Sequence, residues 1–263
     1  MVRNMGYKTL MVSAILGLSL GSAALIAEDG ESMSEADVAM YAEMGDANPA
    51  EVYVMEGESY LEEKVGGTEG LADFLGVSED DLGAELATFP KYVKKIGMVV
   101  AIDQMLQAAM AANGNEPYKL TSSEMNGMAA FVKSLANGEK ITLDLKESHN
   151  KEYYELGKEI FHVRRGGRGL SCYNCHSETT IGSRLRMQIL PNLGAPQTKA
   201  AATWPAYRMT KSELTALQKR FQGCMNNSLQ AKLPQGAKEM VALELYVTSL
   251  AEGETVQIPG LKR

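Results

Sequence analysis

Ser171-Cys172-Tyr173-Asn174-Cys175-His176 decides how this chain is read. Two thiols separated by two residues, with an imidazole directly after the second, form the attachment sequence of a covalent haem c. The thiols add across the haem vinyl groups, and the adjacent imidazole reaches the iron from the same side. A redox dithiol and half of a zinc site use the same Cys-x-x-Cys spacing. The first lacks its βαβ context here, and no second Cys/His pair completes a zinc tetrahedron. Covalent attachment lets a loop-rich domain hold haem without a deep core.

The flanking sequence supports this reading. Gly157-Lys158-Glu159-Ile160-Phe161, then Gly166-Gly167-Arg168-Gly169-Leu170, resembles the first helix and loop of a class I cytochrome c. The whole chain has 263 residues, 45% hydrophobic and 22% charged, which excludes collagen, a disordered polymer and a polytopic membrane protein. A net charge of -7 disfavours a nucleic-acid partner. Three cysteines make no disulfide framework.

The N-terminus reads as an export signal. Arg3 and Lys8 precede the apolar run Leu10 to Leu20, and small residues lead to Ala27 before acid begins at Glu28. Cleavage near Ala27 makes residues 1–27 a signal peptide and the mature protein periplasmic; the alternative is an uncleaved anchor helix. Charge is then lopsided. Residues 28–90 carry 18 acidic side chains and one lysine, whereas residues 151–233 carry 13 basic and 5 acidic ones. The basic stretch surrounds the Cys/His motif, where it would concentrate anions.

An internal repeat organises the rest. Met125 to Glu139 aligns with Met240 to Glu254 at an offset of 115 residues, with seven of fifteen positions identical. Phe89-Pro90-Lys91-Tyr92 aligns with Trp204-Pro205-Ala206-Tyr207 at the same offset, and Gly66-Gly67 resembles Gly166-Gly167. The expectation is an all-α protein of two tandem cytochrome c-like domains, 28–143 and 144–263. Helical spacing over 99–112, 122–135, 213–229 and 238–251 agrees with it. No Cys or His occurs between Glu28 and Ser148, so only the second domain would carry haem, one per chain.

The sixth iron ligand must come from elsewhere. Met187, Met209, Met225 and Met240 are candidates, although methionine is more often core filler. His149 and His162 precede the motif and are poorly placed. Cys224 is a third possibility: it follows Arg220 by one helical turn, so the two share a face, and a neighbouring guanidinium favours the ligating thiolate. Spacing alone leaves Cys and Met open, and a methionine ligand would make the chain an electron-transfer cytochrome.

Arg220-Phe221-Gln222-Gly223-Cys224-Met225, followed by Pro234-Gln235-Gly236 and Glu239 to Tyr246, resembles the C-terminal signature of the SoxA family. These are haem subunits of the SoxAX thiosulfate-oxidising complexes. Asn48-Pro49, Gly57-Glu58, the two Pro motifs and the haem motif extend the resemblance over nearly all of the mature chain. With no second Cys-x-x-Cys-His, the chain resembles the monohaem subgroup. The resemblance implies thioethers at Cys172 and Cys175, proximal ligation by His176, and Cys224 as distal ligand and catalytic sulfur, carried as a persulfide. It implies that Arg220 binds the anionic substrate. It also implies a SoxX partner subunit, the carrier protein SoxYZ whose cysteine is coupled to thiosulfate, and a cytochrome c that takes the electrons.

Overall fold

Lys91, Met98, Ile102 and Ser123 each begin an element, and an element of the same kind begins 115 residues after each of them. The computed structural model describes residues 48–180, 184–185, 188–195, 198 and 200–262; the expected signal segment, residues 28–47 of the expected first domain and the candidate ligand Met187 lie outside them. The first half runs α1 (Glu51–Val65), α2 (Gly67–Leu75), a short α3 (Leu82–Leu86), the hairpin β1 (Lys91–Val93) and β2 (Met98–Val100), then α4 (Ile102–Ala112) and α5 (Ser123–Ser134). The second runs α6 (Ser148–His162), the single turn α7 (Cys172–Cys175), β3 (Arg184–Leu185), β4 (Gln188–Ile189), β5 (Ala206–Arg208), β6 (Glu213–Thr215), α8 (Leu217–Asn227), α9 (Lys238–Ser249) and β7 (Gly260–Lys262). The strand β5 pairs antiparallel with β6 and parallel with β7.

The all-α expectation is therefore corrected to a helix-rich fold with short strands. The helices expected from residues 99 and 213 begin only at Ile102 and Leu217, because the residues before them form β2 and β6. Three-residue strands are too short to show a period of two, so their apolar residues read as the first turn of the helix that follows. The two hairpins turn through equivalent positive-φ residues, Gly97 at 78° and Ser212 at 51°.

Glycine sets both helix crossings. A Cβ on Gly57 of α1 would stand 2.1 Å from the Gly127 carbonyl oxygen of α5, and one on Gly157 of α6 would stand 1.9 Å from that of Ala242 on α9. Hydrogen alone lets these backbones touch. Ser122 caps α5 by accepting from Met125 N–H at 3.2 Å, and Glu147 caps α6 by accepting from Asn150 N–H at 2.7 Å. Fully buried Leu61, Leu71, Leu106 and Leu243 form the core with Met105, Met110, Met125, Met128 and Met240, so five methionines serve as packing. The chain after α5 pairs with the chain after α9: Asn137 exchanges two 2.7 Å bonds with the Ile258 backbone, and Ile141 N–H donates to Glu254.

A polar cluster sits where the halves meet. Glu244 of α9 is buried; its Oε2 accepts from Gln218 Nε2 at 2.8 Å, and its Oε1 lies 3.7 Å from Lys133 Nζ of α5. Asp103 of α4 completes it. Burial, and after it the charge of Glu244, pushes its carboxyl from an ordinary 3.8 to about 7, while Lys133 pulls the other way. A carboxyl raised in the folded state favours folding while protonated, so this contribution is full below about pH 4 and is lost as pH rises through about 7. The span from 3.8 to about 7 sets an upper bound of about 4 kcal/mol. Asp103→Asn should flatten that part of the stability profile in urea unfolding from pH 4.5 to 7.5. An unchanged slope contradicts the assignment.

Candidate functional site

The haem motif occupies one helical turn that its own side chains lock. Ser171 Oγ accepts from Asn174 N–H at 3.2 Å, and Asn174 Oδ1 accepts from Ser171 N–H at 3.0 Å, a reciprocal cap around Cys172 and Cys175. The two spacer residues therefore differ in role. Asn174 holds the turn, while Tyr173 is 47% exposed and lies beside the His162 ring at 4.9 Å between centroids.

His176 ends the turn, its N–H bonded to Cys172 O at 2.9 Å. Its Nδ1 stands 3.0 Å from the Pro191 carbonyl oxygen. A carbonyl only accepts, so this contact assigns the proton to Nδ1 and leaves the Nε2 lone pair for a metal. The loop before the motif is stitched to the end of α8: Gly167 N–H donates to Leu229 O at 2.9 Å, and Gln230 donates from Nε2 to Leu170 O at 2.8 Å while accepting from Arg165 Nε at 3.1 Å. Gly166 has φ 73°, and a Cβ there would meet Leu229 O at 2.5 Å, so glycine is required twice over.

These elements enclose a cleft of about 1260 Å³ counted out to its open mouth. Cys172, Cys175 and His176 line it with Phe161, Leu193, Trp204, Leu217 and Phe221, and α8 contributes Arg220, Cys224 and Met225. Burial, with Cys224 the next contribution, pushes the Cys172 thiol up to about 11, and the same two causes raise Cys175. All three sulfurs thus share one cavity. Arg168, Arg220 and Lys262 are its cationic lining, and no carboxylate is among the described lining residues. An apolar cleft with two thiols on one turn, an imidazole nitrogen held available and cations in the wall fits a haem and its propionates.

The remaining candidates fall elsewhere. Met240 is core and Met209 lies in the turn after β5; neither lines the cleft. His149 stacks on Tyr92 at 4.1 Å and bonds Glu147, and exposed His162 bonds Lys158 O through Nδ1. Pro191, Gln230, Arg168 and Lys262 are additions the sequence did not single out. Carbonyl and amide partners of this kind leave no motif, although Arg168 belongs to the basic stretch 151–233.

Fold and site together define a c-type cytochrome. The SoxA/TsdA cytochrome c domain matches residues 66–141 and 156–256. A SoxA subunit of L-cysteine S-thiosulfotransferase from Hydrogenophilus thermoluteolus is 30% identical over 97% of this chain and 99% of its own length. Another from Hydrogenobacter thermophilus is 27% identical over 100% of both chains. The crystal structure of SoxXA from P. pantotrophus superposes with a TM-score of 0.69 at 24% identity, covering 82% of this chain and 79% of that one. The chain belongs to the SoxA/TsdA cytochrome c family.

Proposed function

We propose that the chain is the haem subunit of an L-cysteine S-thiosulfotransferase, coupling thiosulfate oxidatively to a cysteine of the SoxYZ carrier protein. The carrying observation is that Arg220 and Cys224, one turn apart on α8, line the same cleft as Cys172, Cys175 and His176. The net reaction joins thiosulfate to a carrier thiol as R–S–S–SO3⁻, releasing one proton and two electrons. A haem bound here would supply one-electron redox chemistry, and the two electrons would leave to an acceptor cytochrome c. The chain's own residues do the rest. Arg220 presents a planar fork that matches two sulfonate oxygens. Cys224 would carry the reacting sulfur and, with His176 fixed through Pro191, would hold the iron. Cys172 and Cys175 would attach the haem through thioethers.

In this reading residues 1–27 are a cleaved signal and the mature protein is periplasmic, paired with a SoxX subunit. Residues 28–143 and 144–263 form tandem cytochrome c-like domains, the first without haem. The recurrence of hairpin, helix pair and glycine crossing supports the duplication. A pyridine haemochrome assay combined with intact mass should return one covalent haem on a chain starting near Glu28. Two haems per chain would refute the haemless first half.

A further inference from the structure

We propose that Glu244 is a positioning residue for the reaction: held by Gln218 on one side and faced by Lys133 on the other, it sets where α8 places Arg220 and Cys224. The inference rests on the roles given above to those two residues.

Glu244 is only 5% exposed, and a buried carboxylate persists only where it is paired and hydrogen-bonded. Each of its oxygens has its own partner. Through Oε2 it accepts from Gln218, two residues before Arg220 on α8; Gln218 is 2% exposed, and its amide oxygen accepts from Gly236 N–H at 2.8 Å. One glutamine side chain thereby ties α8 both to α9 and to the loop leading into it. Through Oε1, Glu244 faces Lys133, whose Nζ also donates to the Trp204 carbonyl at 3.3 Å. Trp204 and Leu217 are walls of the cleft. The carboxylate thus links the helix bearing the reacting groups to the opposite half of the molecule.

The test uses the full-length holoprotein and reads its ferric low-spin electron paramagnetic resonance signal, with kcat and KM for thiosulfate measured alongside. Glu244→Gln keeps an acceptor for Gln218 and removes the charge that faces Lys133. It should bind haem fully, shift the signal and lower kcat about tenfold, the scale of a sub-ångström misplacement. Lys133→Met removes the same pairing from the other side and should shift the signal likewise, which decides the matter if Glu244→Gln does not fold. A wild-type signal with wild-type kcat in the variants that fold overturns the proposal. A wild-type protein whose signal lacks thiolate character overturns instead the ligand assignment on which it rests.

Discussion

Arg220→Ala lowers thiosulfate-dependent turnover with the carrier protein by roughly 30- to 1000-fold, equivalent to about 2–4 kcal/mol of transition-state stabilisation. The magnitude follows from where the guanidinium stands. Arg220 is half-buried on the cleft wall beside Cys224, whereas its neighbour Lys219 is exposed. A charge in a partly desolvated wall interacts far more strongly with a bound dianion than one in open solvent. Arg220→Lys should recover only part of the loss, because an ammonium cannot make the two parallel bonds that a guanidinium offers a sulfonate. Neither variant should alter haem content. The rates are to be compared at fixed ionic strength, since the basic lining also attracts anions at longer range. Wild-type turnover in Arg220→Ala would return this residue to a packing role.

Gly157→Ala destabilises the protein by roughly 2–4 kcal/mol and depresses haem incorporation. The added methyl would meet Ala242 O at 1.9 Å and Tyr246 Cβ at 2.9 Å, so α6 and α9 must part. Alanine's better helix propensity returns at most about 1 kcal/mol. Separation also reaches the cleft, because Phe161 of α6 and Leu243 and Val247 of α9 line it. The equivalent change, Gly57→Ala, places its methyl 2.1 Å from Gly127 O in the other crossing. That variant should lose comparable stability while leaving the haem spectrum unchanged. Thermal unfolding with haem absorbance checks both, and equal spectral damage from the two would contradict independent crossings.

What was legible in the sequence has a common physical basis: it depends on residues near one another in the chain. Cys172, Cys175 and His176 share one turn; Arg220 and Cys224 share one helix face; and the 115-residue repeat marks elements that recur in register. Readings that needed partners distant in the chain were out of reach. His176 is oriented by a carbonyl 15 residues away and Glu244 by an amide 26 residues away, neither of which carries a side-chain signature. Strands β2 and β6 were absorbed into the helices that follow them because three residues are too few to show either period. Cys224 and Met225 could not be separated by spacing, and both do line the cleft. The choice of Cys224 over Met225 belongs to the proposed function and not to the shape of the cleft.

The most direct test of the central claim is the ferric absorption and electron paramagnetic resonance spectrum of Cys224→Ala holoprotein beside wild type. A thiolate ligand stabilises ferric iron, and its loss must change both spectra and raise the midpoint potential. The account predicts a wild-type spectrum of low-spin, thiolate-ligated haem that disappears in Cys224→Ala, with one covalent haem retained through Cys172 and Cys175. An unchanged ferric spectrum in Cys224→Ala, with the change appearing instead in Met225→Ala, would contradict it and make the chain an electron carrier with a methionine ligand.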